Sequence, residues 1–67
     1  MRIQLRQAND EGRTVWITDV RYFEPLPGCC QFTATGLNGG DVSVIHVEPN
    51  GDFLYDGETY DFCQVIS

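Results

Sequence analysis

Turn-forming residues interrupt this chain too often for long helices. Gly12, the Pro25–Gly28 segment, Gly36–Gly40, Pro49–Gly51 and Gly57 divide it into short pieces, each the length of a strand. β-Branched and aromatic side chains dominate the pieces, and alanine occurs only twice, a composition that suits a pleated, half-buried surface. The 67 residues make a single domain, residues 1–67. A domain of this size buries only about 60% of the surface its unfolded chain exposes, so its stability margin is thin. With 42% hydrophobic residues, one core is affordable and a deep ligand pocket beside it is not. No apolar run approaches the roughly 18 residues that cross a bilayer as a helix.

The pattern predicts an all-β fold: an antiparallel meander of five to six short strands forming a bent sheet or a small barrel. The first strand covers Arg2–Gln7, with Ile3 and Leu5 on one face. The second, Thr14–Phe23, is long enough to bend. Its alternation changes from Val15/Ile17 to Val20/Tyr22, as one extra residue would make it do. In Cys30–Thr35, the third, Cys30, Phe32 and Ala34 alternate with polar neighbours. Asp41–Val47 is apolar on both faces and is predicted to be central. Phe53–Tyr55 and Thr59–Ile66 complete the set, and one short helix is the alternative for residues 2–11 or 58–66.

The joints read as hairpins. Glu48-Pro49-Asn50-Gly51 has the signature of a type I turn followed by a bulge, and Asp56-Gly57 that of a two-residue type I′ turn. Asn9–Gly12 and Asn38-Gly39-Gly40 serve two further joints. Pro25 and Pro27 predict a stiff, extended connection between the second and third strands.

Charge is distributed unevenly. Ten carboxylates face four arginines, lysine is absent, and the net charge is −6. The first 21 residues hold all four arginines against three carboxylates; the rest hold seven carboxylates and no arginine. An anionic field disfavours nucleic acid and anionic lipid and favours a basic partner. Three cysteines, Cys29, Cys30 and Cys63, make an odd count, and the opening Met-Arg-Ile-Gln-Leu-Arg is followed by no apolar leader. Both point to a reducing cytoplasm, with Cys30 and Cys63 the pair that oxidation would join.

The acids carry the functional expectation. A two-residue turn at Asp56-Gly57 pairs Tyr55 with Glu58, Leu54 with Thr59, Phe53 with Tyr60 and Asp52 with Asp61. The preceding turn brings Glu48 beside Asp52. Like charges directly opposite cost a few tenths to about 1 kcal/mol, and a destabilising feature retained in a small fold is a candidate for function. Glu48, Asp52, Asp56, Glu58 and Asp61, with Tyr55 for stacking on arginine, form the expected partner-binding site. In size, charge and the stretch EPNGDFLYDGETYD the chain resembles the small acidic inhibitors of phages and mobile elements, the anti-CRISPR proteins and other DNA mimics. The resemblance is one of class. It implies a protein-binding inhibitor, acting in the host cytoplasm, that occupies the cationic nucleic-acid site of an effector complex without binding nucleic acid itself.

Other chemistries fit less well. An EF-hand started at Glu48 meets Phe53 where glycine is needed and Thr59 where glutamate is needed. Cys29, Cys30, Cys63 and His46 number four, as zinc requires, but adjacent cysteines project to opposite sides of a strand. Cys63 with His46 and Asp61 is the one nucleophilic arrangement available. No enzyme activity, cofactor or metal is expected. The rival expectation is a structural or assembly module, monomer or homodimer, associating through Trp16, Tyr22, Phe23 and Leu26.

Overall fold

In the computed structural model, residues 1–7 and 12–67 are described, with Asn38 described through its backbone alone. Eight strands run in chain order: β1 (Arg2–Gln7), β2 (Arg13–Ile17), β3 (Val20–Leu26), β4 (Cys29–Ala34), β5 (Ser43–Val47), β6 (Phe53–Tyr55), β7 (Glu58–Tyr60) and β8 (Phe62–Ile66). They form two antiparallel sheets, one of three strands in the order β2-β1-β8 and one of five in the order β3-β4-β5-β6-β7. The protein is all-β, and the sheets do not close into a barrel. Among the described residues, a single 3₁₀ turn spans Asn38–Gly40. Residues 2–7 and 58–66, the alternative helical stretches, are extended apart from Asp61. Residues 8–11 of the first stretch, and with them most of the Asn9–Gly12 turn, lie outside the described residues.

Eight strands replace the expected six because two long strands break at a corner. The Thr14–Phe23 strand breaks at Thr18-Asp19, where Asp19 takes φ 56°. Aspartate tolerates that left-handed conformation better than most residues. The Thr59–Ile66 strand breaks at Asp61. Each long strand thus gives one half to each sheet. β1 stitches both corners. Met1 and Val20 exchange backbone hydrogen bonds at 3.0 and 3.3 Å, and the Asp61 amide donates to the Arg6 carbonyl at 3.0 Å.

Alternation decides which side chains meet between the sheets. Ile3, Leu5, Phe32 and Ile45 are fully buried, joined by Ile17, Val20, Ala34 and Tyr60. The strands that carry the four fully buried residues, β1, β4 and β5, obey the period of two, but β3 does not. Its register slips between Val20 and Tyr22. Arg21 is the extra residue, so Val20 and Phe23 turn inward while Tyr22 lies 44% exposed. The expected Val20/Tyr22 face is corrected to Val20/Phe23.

The Pro25–Gly28 joint is also corrected. Pro25 continues β3 opposite Cys30, and Pro27-Gly28 alone make a tight turn between Leu26 and Cys29. Gly28 has φ 78°, which is the glycine position of a turn with proline before it. β3 lies at the sheet edge, where the missing N–H of Pro25 costs no ladder bond. β5 is central, as its apolar faces require. Asp56 and Gly57 have φ 52° and 78°, the paired positive values of a type I′ turn.

Candidate functional site

Two successive turns position the acids. In the first, the Glu48 amide donates to the Asp52 carbonyl at 2.7 Å, and the Gly51 amide to the Glu48 carbonyl at 2.9 Å. Asn50 closes the turn with its side chain: its Oδ1 accepts from the Asp52 amide at 3.0 Å, and its Nδ2 donates to Asp52 Oδ2 at 3.3 Å. Local bonding of this kind is why asparagine suits turns. The second turn, Asp56-Gly57, sets Tyr55 opposite Glu58, Leu54 opposite Thr59 and Phe53 opposite Tyr60, as expected. The ladder stops there, so Asp52 and Asp61 flank its end without being paired in it.

Asp52, Glu58 and Asp61 line one open depression of about 380 Å³, with Gln7 and Tyr60 at its floor. Gln7 is buried, and its Nε2 donates to the Thr59 carbonyl at 2.7 Å. Glu48 joins this group only through the backbone of its turn with Asp52. Asp56 lies apart: it and Tyr55 border a separate depression against Leu37 and Val42. Tyr55 packs toward the core with its ring 5.9 Å from that of Phe32. Burial, and then the charge of Asp56, push its hydroxyl above the usual tyrosine range. Of the six expected site residues the structure therefore gathers Asp52, Glu58 and Asp61, sets Glu48 at their margin, and places Asp56 and Tyr55 elsewhere.

Two members of the depression's surroundings are not apparent in the sequence. Gln7 comes from β1, and Arg13 Nη1 lies 3.8 Å from Glu58 Oε1, with both side chains about half exposed. β2 and β7 are neighbours only because β1 binds both sheets, a non-local fact with no local signal.

No protein-family model matches this chain, and no curated protein or solved structure matches it. Its chemistry is read from its own side chains. Cys29, Cys30 and Cys63 are free thiols. Burial, and then the neighbouring Cys30, push the Cys63 thiol up to about 11; burial and Cys29 also raise Cys30. A thiol held protonated is a poor nucleophile. Cys63 faces the core from β8, whereas His46 is exposed on β5 in the other sheet. The Cys63, His46 and Asp61 arrangement is thus not assembled. Among the described residues, no three histidine, cysteine, aspartate or glutamate side chains gather closely enough to hold a metal ion, and no helix is long and apolar enough to cross a membrane.

Proposed function

We propose that this protein acts by binding, without catalysis, and that the depression lined by Asp52, Glu58 and Asp61 engages a cationic site on a nucleic-acid-handling protein. One observation carries the reading: three carboxylates from a turn, a strand and a corner border one solvent-open surface, where like charges bring folding no benefit. Guanidinium groups that hold phosphate in the partner would find carboxylate oxygens instead. Such a protein competes with nucleic acid for the partner, which is how an acidic inhibitor of the DNA-mimic type works.

The test uses two baits. The natural protein and a variant with Asp52→Asn, Glu58→Gln and Asp61→Asn are immobilised in parallel and exposed to host lysate. Basic nucleic-acid-binding proteins should be retained by the first, released by moderate salt, and absent from the second. The same partner retained equally by both baits would defeat the proposal.

A second reading rests on the edge strand β3. Tyr22 is 44% exposed and Leu26 36%, and beyond Val20, which bonds to Met1, β3 has no strand on its outer side among the described residues. An unpaired edge with exposed apolar side chains invites self-pairing. That association would persist or tighten as salt rises, and mass measured against concentration separates it from the acidic mode.

A further inference from the structure

The three-stranded sheet turns one face to the core and the other to solvent. Ile3, Leu5 and Gln7 are buried, so Arg2, Gln4 and Arg6 point outward from β1. The register sets Trp16 and Gln64 on either side of Gln4, Thr14 and Phe62 on either side of Arg6, and Ile66 beside Arg2. Paired residues share a face. The outer surface is therefore a grid of two guanidiniums, two aromatic rings, two amides, a hydroxyl and one isoleucine. The three strands contain three arginines and no carboxylate. The Arg2 guanidinium lies 4.8 Å from the centre of the Trp16 ring, and that of Arg6 4.1 Å from the centre of Phe62. Trp16 is 43% exposed, and neither ring belongs to the core.

This chemistry selects its occupant. Guanidiniums on strands that themselves carry no carboxylate call for an anion. An exposed indole and a half-buried phenyl ring, each beside a guanidinium, call for flat partners that stack. Gln4 and Gln64 supply amide donors and acceptors between the rings. Arg2 and Arg6 stand four residues apart on one strand, about 13 Å at roughly 3.3 Å per residue, the scale of phosphates on an extended polynucleotide. An acidic peptide would satisfy the guanidiniums and leave the exposed indole and the amides without matched partners. We propose that the outer face of the three-stranded sheet binds single-stranded nucleic acid, with phosphates on Arg2 and Arg6 and bases stacked on Trp16 and Phe62. The net charge of −6 makes this attraction local, and the proposal rests on the outer face of β1, β2 and β8, separately from the reading of the acidic depression.

Trp16 is the only tryptophan, so indole fluorescence reads the site directly. An eight-nucleotide oligothymidylate titrated at low salt should quench it saturably. Two phosphate contacts give a slope of log affinity against log salt of roughly −1.4. Arg2→Gln with Arg6→Gln should weaken binding about tenfold or more, and Phe62→Leu at least about fivefold. Amide shifts of the unaltered protein, followed by NMR, should move in β1, β2 and β8 together with the indole N–H, which keeps the test decisive should a variant misfold. Absence of quenching up to millimolar oligonucleotide overturns the proposal, as do shifts centred on the five-stranded sheet. An octaglutamate peptide that displaces the oligonucleotide at equal or lower concentration also overturns it, and makes the face a site for an acidic protein.

Discussion

The three-stranded sheet carries three arginines and no carboxylate, whereas the five-stranded sheet carries one arginine and two glutamates and is joined by turns holding Asp41, Glu48, Asp52 and Asp56. Their inner faces are alike: Ile3, Leu5 and Ile17 from one sheet meet Val20, Phe32, Ala34, Ile45 and Tyr60 from the other. Packing obliges those faces to match. Nothing obliges the outer faces to match, and they diverge in charge. In this protein, folding is decided between the sheets, and both proposed binding surfaces lie on their outer sides.

The sharpest way to break the comparison is to strike the shared core. Phe32→Ala in the five-stranded sheet should cost about 3–5 kcal/mol, and Leu5→Ala in the three-stranded sheet about 2–5 kcal/mol. Either loss is comparable to the whole stability of so small a domain. Both variants should unfold both sheets in one transition, seen as coincident urea curves from circular dichroism and Trp16 fluorescence. Two separated transitions would show the sheets to be independent modules.

A milder probe is alkaline pH. Cys63, on the three-stranded sheet, is raised from 9.0 to about 11, and Cys30, on the other sheet, is raised as well. A thiol whose folded value lies above its unfolded value holds its proton more tightly when folded. Its contribution is complete below pH 9 and is lost as pH climbs toward 11. Urea midpoints should therefore fall between pH 8.5 and pH 10.5 on the order of a few tenths molar, and Cys63→Ala should flatten that fall. An unchanged slope in the variant would remove Cys63 as its source. The smallest effect is expected at the charge boundary itself. Arg13→Gln removes the contact with Glu58 and should cost less than about 1 kcal/mol, because both side chains are half exposed. A larger loss by thermal melting would mean that the two surfaces are coupled.

Where a turn is made by two adjacent residues, the sequence is easily read. Asp56-Gly57 specifies the pairing of residues 53–60 because both residues must adopt positive φ, and the register then follows. The corners were not legible. Asp19 leaves the strand pattern with no glycine or proline to mark it, and Asp61 sits inside a run that reads as continuously extended. The Arg21 bulge was visible as a phase change, yet the phase alone could not say whether Tyr22 or Phe23 would point inward. The candidate site divides the same way. The hairpin register sets Asp52 and Asp61 at the same end of the ladder, although the expected pairing between them stops one step short, at Phe53 and Tyr60. Tyr55 leaves the expected site because Phe53, two residues before it on the same face, packs against the core and takes it along. Gln7 and Arg13 reach the site through β1, and pairing between distant segments leaves no local trace.

That central strand has a consequence for how the molecule is made. β1 bonds to β8 through partners as distant as Arg2 and Ile66. β1 must therefore wait for a strand up to 64 residues further along the chain (66 − 2 = 64) before Ile3 and Leu5 are flanked on both sides. The hairpins of the five-stranded sheet can close as they emerge, because each links neighbours in the chain. Synthesis thus passes through a stage in which the acidic half is already formed and the arginine-bearing half is still open. A chain stalled at that stage would show chaperones an apolar, arginine-bearing segment.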